Sequence, residues 1–224
     1  MKADRTPDAD APGSASRATR RPAIRPAAPG RVPQPDDPRA GDAVHRDPAA
    51  AYARAAAAPA ADARERAIVT AQLGRPARGR PAVVHRCRWG LPTVVRVDPT
   101  LEDGTPFPTT FWLACPALRS GIGTLEADQC MVGLNDRLQE DGAFAGEYAA
   151  AHERYVAFRD ELGGPLAGDP GAGGMPGYVK CLHVHAAHHL ATGDNPVGEW
   201  TVDAASPVRC SGPCVDPADL PDAP

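Results

Sequence analysis

The densest group of chemically reactive side chains lies between residues 181 and 189 of the 224-residue chain. Four of the seven histidines fall within this stretch, together with one of the six cysteines. Thiolate and imidazole groups are the ligands that zinc prefers in structural sites, and several thiolates together can also hold an iron–sulfur cluster. The residue types therefore indicate a metal centre to which this stretch contributes.

The spacing of these side chains limits which of them could share one ion. The pattern from Pro176 to Thr192 predicts a helix, on which Cys181, His185 and His188 would share one face. Positions four residues apart can reach one ion, whereas positions seven apart lie about 10 Å apart along the axis. The easiest helical pairs are therefore Cys181 with His185, and His185 with His188 or His189.

Two further cysteines are predicted to lie at the ends of β-strands. Three segments rich in β-branched and aromatic residues are separated by turns, namely 82–87, 93–97 and 109–115. This pattern predicts a three-stranded antiparallel meander. Cys87 and Cys115 would then lie at the same side of the sheet, where the helix could bring Cys181 over them. Three thiolates and one histidine make a tetrahedral zinc set, although each cysteine could instead be a small buried apolar residue.

The glycines before the predicted helix suggest a second kind of site. Backbone N–H groups at a helix N-terminus bind anions, and Gly173 and Gly174 lie where such groups would be free. Lys180 lies one turn further on, so these three residues form a candidate site for a carboxylate or phosphate. A Gly-rich linker is the simpler alternative, and whether the domain is an enzyme stays open.

Composition divides the chain into three parts. Residues 1–62 are rich in Ala, Pro and Arg and contain few large apolar side chains, so we expect a disordered tail. Hydrophobic patterns run from residue 63 to residue 202, which predicts a single domain. Residues 203–224 return to Pro, Asp and Ala and are expected to be disordered. We expect the domain to have an α+β fold, in which the three-stranded meander packs against three or four helices.

Charge and hydropathy restrict the environment and the partners of the domain. Residues 61–224 carry 14 Lys/Arg and 21 Asp/Glu, so a nucleic-acid-binding surface is not expected. No apolar run approaches the roughly 18–20 residues of a membrane span. The N-terminal residues lack the apolar segment of a signal peptide. We therefore expect a cytoplasmic protein with reduced cysteines. The arginine-rich loop Arg75–Pro81 could face a phosphate or serve as a solvated connector.

Several motifs resemble those of domain-of-unknown-function family 501, a family of uncharacterised and largely actinobacterial proteins. The motifs are Leu73-Gly74-Arg75-Pro76, Cys87-x-x-Gly90-Leu91-Pro92, Asp103-Gly104-Thr105-Pro106-Phe107-Pro108-Thr109, Cys115-Pro116, Gly174-Met175-Pro176, Val179-Lys180-Cys181-Leu182-His183 and Ala187-His188. The resemblance covers about residues 65–200. It implies no known activity. The residues of interest that match the family pattern are Cys87, Cys115, Cys181, His183 and His188, whereas His185 and His189 do not.

The resemblance favours a metal site built on the three matching cysteines. His183 and His188 would complete this zinc or iron–sulfur centre, or would act separately as second-sphere or acid/base groups, and the role would be structural or regulatory. An enzyme acting on an anionic, phosphate-bearing substrate and a metal-free interaction module are the two alternatives. Family members are often encoded near a cell-division initiator protein and an exopolyphosphatase-like enzyme. The resemblance therefore implies a protein partner in cell-envelope or phosphate metabolism.

Overall fold

The chain folds as a set of helices around a small sheet. A computed structural model describes residues 47–206, 208, 210–216, 218 and 220. The elements are α1 (Pro48–Ala57), α2 (Ala63–Leu73), β1 (Ala82–Arg86), β2 (Pro92–Arg96), β3 (Phe111–Leu113), α3 (Pro116–Ala127), α4 (Cys130–Glu140), α5 (Gly142–Gly163), α6 (Leu182–Thr192) and α7 (Pro196–Ala205). The predicted α+β class is confirmed, although the described residues form seven helices instead of three or four.

The three strands form one antiparallel sheet in sequence order, which confirms the predicted meander. Successive side chains along a strand point to opposite faces of a sheet. In β2, Val94 accordingly lies in the main core and Val95 lies in a second, smaller apolar cluster. Val94 is opposite Leu113 of β3, and Val95 is opposite Trp112. The sheet therefore has two apolar faces. The inner face packs on the helical core, and Val69 of α2 covers part of the outer face.

Helix α6 lies at the centre of the main core. Nine of its eleven residues are buried, and it contacts α1, α3, α7 and all three strands. Its N-cap is Cys181, and it ends at Gly193, which adopts the left-handed conformation that favours glycine. The histidine-rich sequence therefore belongs mostly to a core helix, with only its first turn near the surface.

The predicted helix over residues 176–192 is wrong at its start. The carbonyl oxygen of Gly173 accepts the N–H groups of Lys180 (2.7 Å) and Cys181 (3.3 Å), which closes a loop ahead of the helix. Residues 173–181 are consequently not helical, and α6 begins only at Leu182. Helix α7 follows three residues after α6 ends, and the side chain of Asn195 caps its N-terminus.

The expected disorder of residues 1–62 is wrong for residues 48–57, which form α1. The Asp47 carboxylate accepts hydrogen bonds from the N–H groups of the first turn, and Ala51, Tyr52 and Ala55 are buried. A ten-residue helix is only marginally stable alone, so α1 depends on the burial of Tyr52. Composition does not reveal this contact. Residues 1–46 of the predicted tail lie outside the described residues.

The predicted C-terminal boundary at residue 202 is too early. Helix α7 continues to Ala205, and Val208 is buried against the main core. Residues 207, 209, 217, 219 and 221–224, which also belong to the predicted C-terminal tail, lie outside the described residues.

Candidate metal centre

Three side chains with metal-binding chemistry meet where the end of α3 approaches the start of α6. Glu126 lies in the last turn of α3, Cys181 is the N-cap of α6, and His183 is the second residue of α6. Each offers a ligand atom, and these atoms all lie within 4.8 Å of one another. All three residues are half-buried. Within the described residues, this is the one group of three or more potential ligands that is so close together.

The two ring nitrogens of His183 have different partners. Nε2 lies 3.1 Å from the carbonyl oxygen of Arg119, which can only accept a hydrogen bond, so Nε2 carries a proton. Nδ1 lies 3.2 Å from a carboxylate oxygen of Glu126. The hydrogen bond to Cys181, together with Glu126 and the Arg119 carbonyl, raises the pKa of His183 to about 9, although burial opposes the charge. In the absence of a metal, His183 is therefore an imidazolium ion at neutral pH.

Glu126 also caps α6 from outside the helix. The same carboxylate oxygen that faces His183 accepts the N–H of Leu182 at 2.7 Å. A negative charge at this position is favoured by the partial positive charge of the helix N-terminus. The N-terminus of α6 therefore already has an internal anion as its partner.

Sequence analysis did not identify Glu126. Its partners lie on a helix more than fifty residues later, and exposed carboxylates are common on helices. One local signal was present, because Glu126 lies in the last turn of α3, where the helix dipole disfavours a carboxylate. An acidic residue in such a position is typical of a side chain with a tertiary partner.

The structure separates the three cysteines that were predicted to form one site. Cys115 is the N-cap of α3, whereas Glu126 is near the other end of that helix, and eleven residues of helix span about 16 Å. Burial raises the pKa of the Cys115 thiol, and the neighbouring thiols of Cys214 and Cys87 add to this effect. Cys87 and Cys115 are not part of the group that contains Cys181.

His188 lies in the interior, away from His183. Its side chain is fully buried, and its ring stacks on Phe111 with the centroids 5.8 Å apart. Nε2 of His188 contacts the Tyr52 hydroxyl, and Nδ1 lies 3.1 Å from the side-chain nitrogen of Asn195. Burial lowers the pKa of His188 to about 3. A general acid or base must reach the substrate, and no surface-bound substrate would reach this ring.

Asn195 fixes the protonation of His188 and of its neighbour His185. The Asn195 amide oxygen accepts the N–H of Gly198 at 2.9 Å, so its nitrogen donates to Nδ1 of His188 and to Nδ1 of His185, at 3.1 and 3.2 Å. Both rings therefore carry their proton on Nε2. That proton goes to the Gly173 carbonyl from His185, at 3.1 Å, and to the Tyr52 oxygen from His188.

An ion pair at the surface completes this buried network. The Tyr52 hydroxyl donates to the carboxylate of Asp194 at 3.3 Å. Arg154 holds the same carboxylate with two hydrogen bonds of 2.7 and 2.8 Å. Every polar atom along this path has a partner, so the network has the satisfied character of a structural core element.

The residues proposed to bind an anion form a closed loop. Gly173 and Gly174 have φ angles of +64° and +100°, and a Cβ at Gly174 would lie 2.4 Å from the carbonyl oxygen of Tyr178. The glycines are therefore required by the close contact of the loop with itself. Lys180 is exposed, while its backbone N–H donates to Gly173. The helix N-terminus that was expected here begins at Leu182, where Glu126 accepts its first N–H.

Comparison with known proteins agrees with the motifs. The model of the family described as "Protein of unknown function (DUF501)" matches residues 83–203, which is more than half of the chain. The match includes Glu126, Cys181 and His183 of the candidate metal centre, and it excludes α1 and α2. No curated protein and no solved structure matches the chain. Among the described residues, no helix is long and apolar enough to cross a membrane. The chain therefore belongs to the DUF501 family of proteins of unknown function.

Proposed function

We propose that this domain binds a divalent zinc ion through Glu126, Cys181 and His183, and that the ion has a structural or regulatory role. Carboxylate, thiolate and imidazole are all established zinc ligands, and zinc sites with three protein ligands keep a fourth position for water or another group. The mixture of one soft and two harder ligands suits zinc better than calcium or magnesium, which prefer oxygen alone.

The observation that carries this proposal is the contact between Nδ1 of His183 and the Glu126 carboxylate. In the metal-free imidazolium ion, Nδ1 donates its proton to the Glu126 carboxylate. Without that proton the two atoms would face each other at 3.2 Å as two acceptors, because the Arg119 carbonyl holds the other ring proton on Nε2. Two acceptors so close together need a cation between them, either a proton or a metal ion. A ligating histidine commonly donates its other N–H to a backbone carbonyl, and Arg119 supplies that carbonyl.

The same group gives less support to an iron–sulfur cluster. Such clusters are held mainly by several thiolates. Cys181 is the one thiol in the group, and within the described residues Cys87 and Cys115 do not join it. Zinc is therefore the metal that we propose.

A metal ion here would join two helices that are distant in sequence. Glu126 ends α3 and Cys181 begins α6, so binding would stabilise the contact between these helix ends. Any ligand that binds only the folded state raises stability by mass action. The enzyme alternative has less support, because His188 has no access to substrate and the loop at residue 173 is closed on itself.

A cytoplasmic location fits the proposal, because thiol ligands stay reduced there. A protein partner in cell-envelope or phosphate metabolism remains a prediction from the family resemblance. The acidic balance of residues 61–224 still argues against an extended nucleic-acid surface.

Metal titration of the chelator-treated full chain tests the proposal. Zinc should bind with one-to-one stoichiometry in a calorimetric competition against a chelator, and cobalt should give the charge-transfer absorption of a thiolate ligand. Cys181→Ser and His183→Gln should each weaken zinc binding by at least about 100-fold, which is the upper end of the loss seen for outer-sphere changes. Glu126→Gln should also weaken binding, while its amide oxygen still accepts the N–H of Leu182.

Cys87→Ser and Cys115→Ser are the matched controls, since both remove half-buried thiols outside the group. Both should bind zinc as the unmodified chain does. Failure to bind stoichiometric zinc would contradict the proposal. Binding that survives Cys181→Ser and is lost in Cys115→Ser would place the metal at the other pair of thiols.

A further inference from the structure

The outer face of the sheet carries an apolar groove that the metal centre does not involve. The groove is shallow, and its volume of about 290 Å³ includes space that belongs to open solvent. Its apolar lining includes Val69 and Leu73 of α2, Val95 and Val97 on and after β2, and the rings of Phe107 and Trp112. Only Val69, Val95 and Val97 of this second cluster are fully buried. The groove is thus an incompletely covered part of the outer sheet face.

The aromatic floor of the groove is held in a fixed orientation. The rings of Phe107 and Trp112 stack with their centroids 5.3 Å apart and an interplanar angle of 11°. The indole N–H of Trp112 donates to the carbonyl of Thr109 at 2.8 Å. The guanidinium of Arg75 lies 5.2 Å from the centre of the Trp112 ring. A ligand would therefore meet a preformed apolar surface with a cation over the Trp112 ring.

The loop that forms the rim is also fixed to the domain. The N–H of Ala77 donates to the Thr70 hydroxyl at 3.3 Å, and the Arg66 side chain donates to the carbonyl of Gly79 at 3.0 Å. These contacts hold the exposed Arg75 and Arg78 beside the groove. The rim is thereby positioned before any partner arrives.

The charge of the rim indicates the chemistry of its partner. Residues 75–80 contain three arginines and no acidic residue, whereas residues 61–224 as a whole carry 14 Lys/Arg and 21 Asp/Glu. A long polyanion such as nucleic acid would extend beyond the small basic rim onto an acidic surface, which would repel it. A short acidic segment would contact Arg75 and Arg78, of which Arg78 also interacts with the Asp103 carboxylate of the same domain, and arginine clusters are a recurring means of recognising acidic motifs.

We propose that this groove binds a short acidic segment of a partner protein, which places an apolar side chain on the Phe107–Trp112 surface and its carboxylates against Arg75 and Arg78. The lining is almost entirely apolar between the two guanidinium groups, so the partner needs both chemistries together. The small size of the groove is typical of a weak, transient contact. The proposal is independent of the metal centre.

The three tryptophans of the chain allow a direct test. A blocked hexapeptide, Glu-Asp-Phe-Leu-Asp-Glu, is titrated into the ¹⁵N-labelled full chain while the indole N–H signals are recorded. The Trp112 signal should shift and saturate, whereas the signals of Trp89 and Trp200 should stay in place. Replacing the acids of the peptide by amides, or its Phe and Leu by Ser, should each weaken binding by about tenfold or more, since exposed ion pairs contribute up to about 1 kcal/mol each.

Arg75→Glu and Arg88→Glu are the matched pair of variants. Each removes an exposed arginine that stacks on a tryptophan, since Arg88 lies 4.6 Å from the centre of the Trp89 ring on the β1–β2 turn. Arg75→Glu should abolish the titration, and Arg88→Glu should leave it unchanged. The proposal is overturned if the Trp112 signal does not move, if both variants lose binding equally, or if the neutral peptide binds as tightly. Tighter binding of single-stranded polyuridylate would likewise overturn it in favour of nucleic acid.

Discussion

Acid should destabilise this domain because α6 buries two histidines in their neutral forms. Burial lowers the pKa of His185 to about 4 and that of His188 to about 3, from an ordinary value of 6.5. The unfolded chain regains the ordinary value. At any pH between these limits, the unfolded state therefore binds more protons than the folded state, and the free energy of unfolding falls as pH falls.

The size of the effect follows from the two pKa shifts. One pKa unit corresponds to about 1.4 kcal/mol. Lowering the pH to about 5 covers about 1.5 pH units of the interval between the unfolded-state and folded-state pKa values of each histidine. Each histidine should therefore reduce the free energy of unfolding by about 2 kcal/mol. The total of about 4 kcal/mol is a large part of the 5–15 kcal/mol, roughly, that stabilises a typical domain.

His183 acts with the opposite sign. Its pKa in the folded state is about 9, so its contribution to stability is fully present below pH 6.5, about its unfolded pKa, and is lost as pH rises through about 9. In chelator-treated protein, stability should therefore be highest near pH 6.5 and decline to both sides. The acid side should be steeper, because two buried rings act there and one half-exposed ring acts on the alkaline side.

Urea unfolding at about pH 8, 6.5 and 5, followed by far-ultraviolet circular dichroism with chelator present, measures this profile. His183→Gln is the control, since it should remove the alkaline decline and leave the acid decline in place. A free energy of unfolding at about pH 5 that equals or exceeds the value at about pH 6.5 would refute the reasoning. Imidazolium signals from His185 or His188 in the folded protein at that pH would refute it as well.

Three further predictions concern separate parts of the molecule. Tyr52→Phe should lower the free energy of unfolding by about 1–3 kcal/mol, because a buried histidine N–H loses its acceptor; Tyr178→Phe, at a 54% exposed residue, should have little effect in the same urea assay. Gly174→Ala should lower the melting temperature by several degrees, because the φ angle of Gly174 is +100° and a Cβ there would lie 2.4 Å from a carbonyl oxygen. Gly177→Ala is the control and should be tolerated, since no atom lies within 4 Å of the position of its Cβ. Equal melting temperatures of the two variants would contradict this prediction. Zinc affinity should rise about tenfold or more per pH unit between about 6.5 and 9, since the ion must displace the proton of His183; a flat calorimetric profile would exclude His183 as a ligand.

The parts of the fold that were predicted correctly depend on local sequence. The strands around Val83, Val94 and Trp112 are rich in β-branched and aromatic residues and are separated by turns, and this local pattern is sufficient for a hairpin and a meander. The start of α6 was predicted wrongly, because a carbonyl seven residues earlier accepts the N–H of Lys180 and prevents a helix there. Helix α1 was missed because Tyr52 alone supplies the large apolar contact that orders an alanine-rich segment.

The types of ligand in the candidate site could be predicted from the sequence, but which residues come together in it could not. Cys181 was identified from its chemistry and His183 from the family resemblance, whereas the partner of the pair depends on which helix end packs against α6. Strand ends were the nearest source of thiols in a meander, which led to Cys87 and Cys115. The observed partner is the carboxylate of Glu126, whose position depends on the length and packing of α3.

Burial, rather than helical periodicity, separates the roles of the α6 histidines. His185 and His188 share one face and were predicted to be the easier ligands, yet Asn195 donates to both rings and holds them neutral. His183 lies nearer the helix N-terminus, is 28% exposed, and faces a carboxylate. A cation is therefore disfavoured in the middle of α6 and favoured at its first turn. Burial of neutral rings makes the core sensitive to acid. At the start of α6 the ring is partly exposed and faces a carboxylate, so a metal ion would replace a proton there.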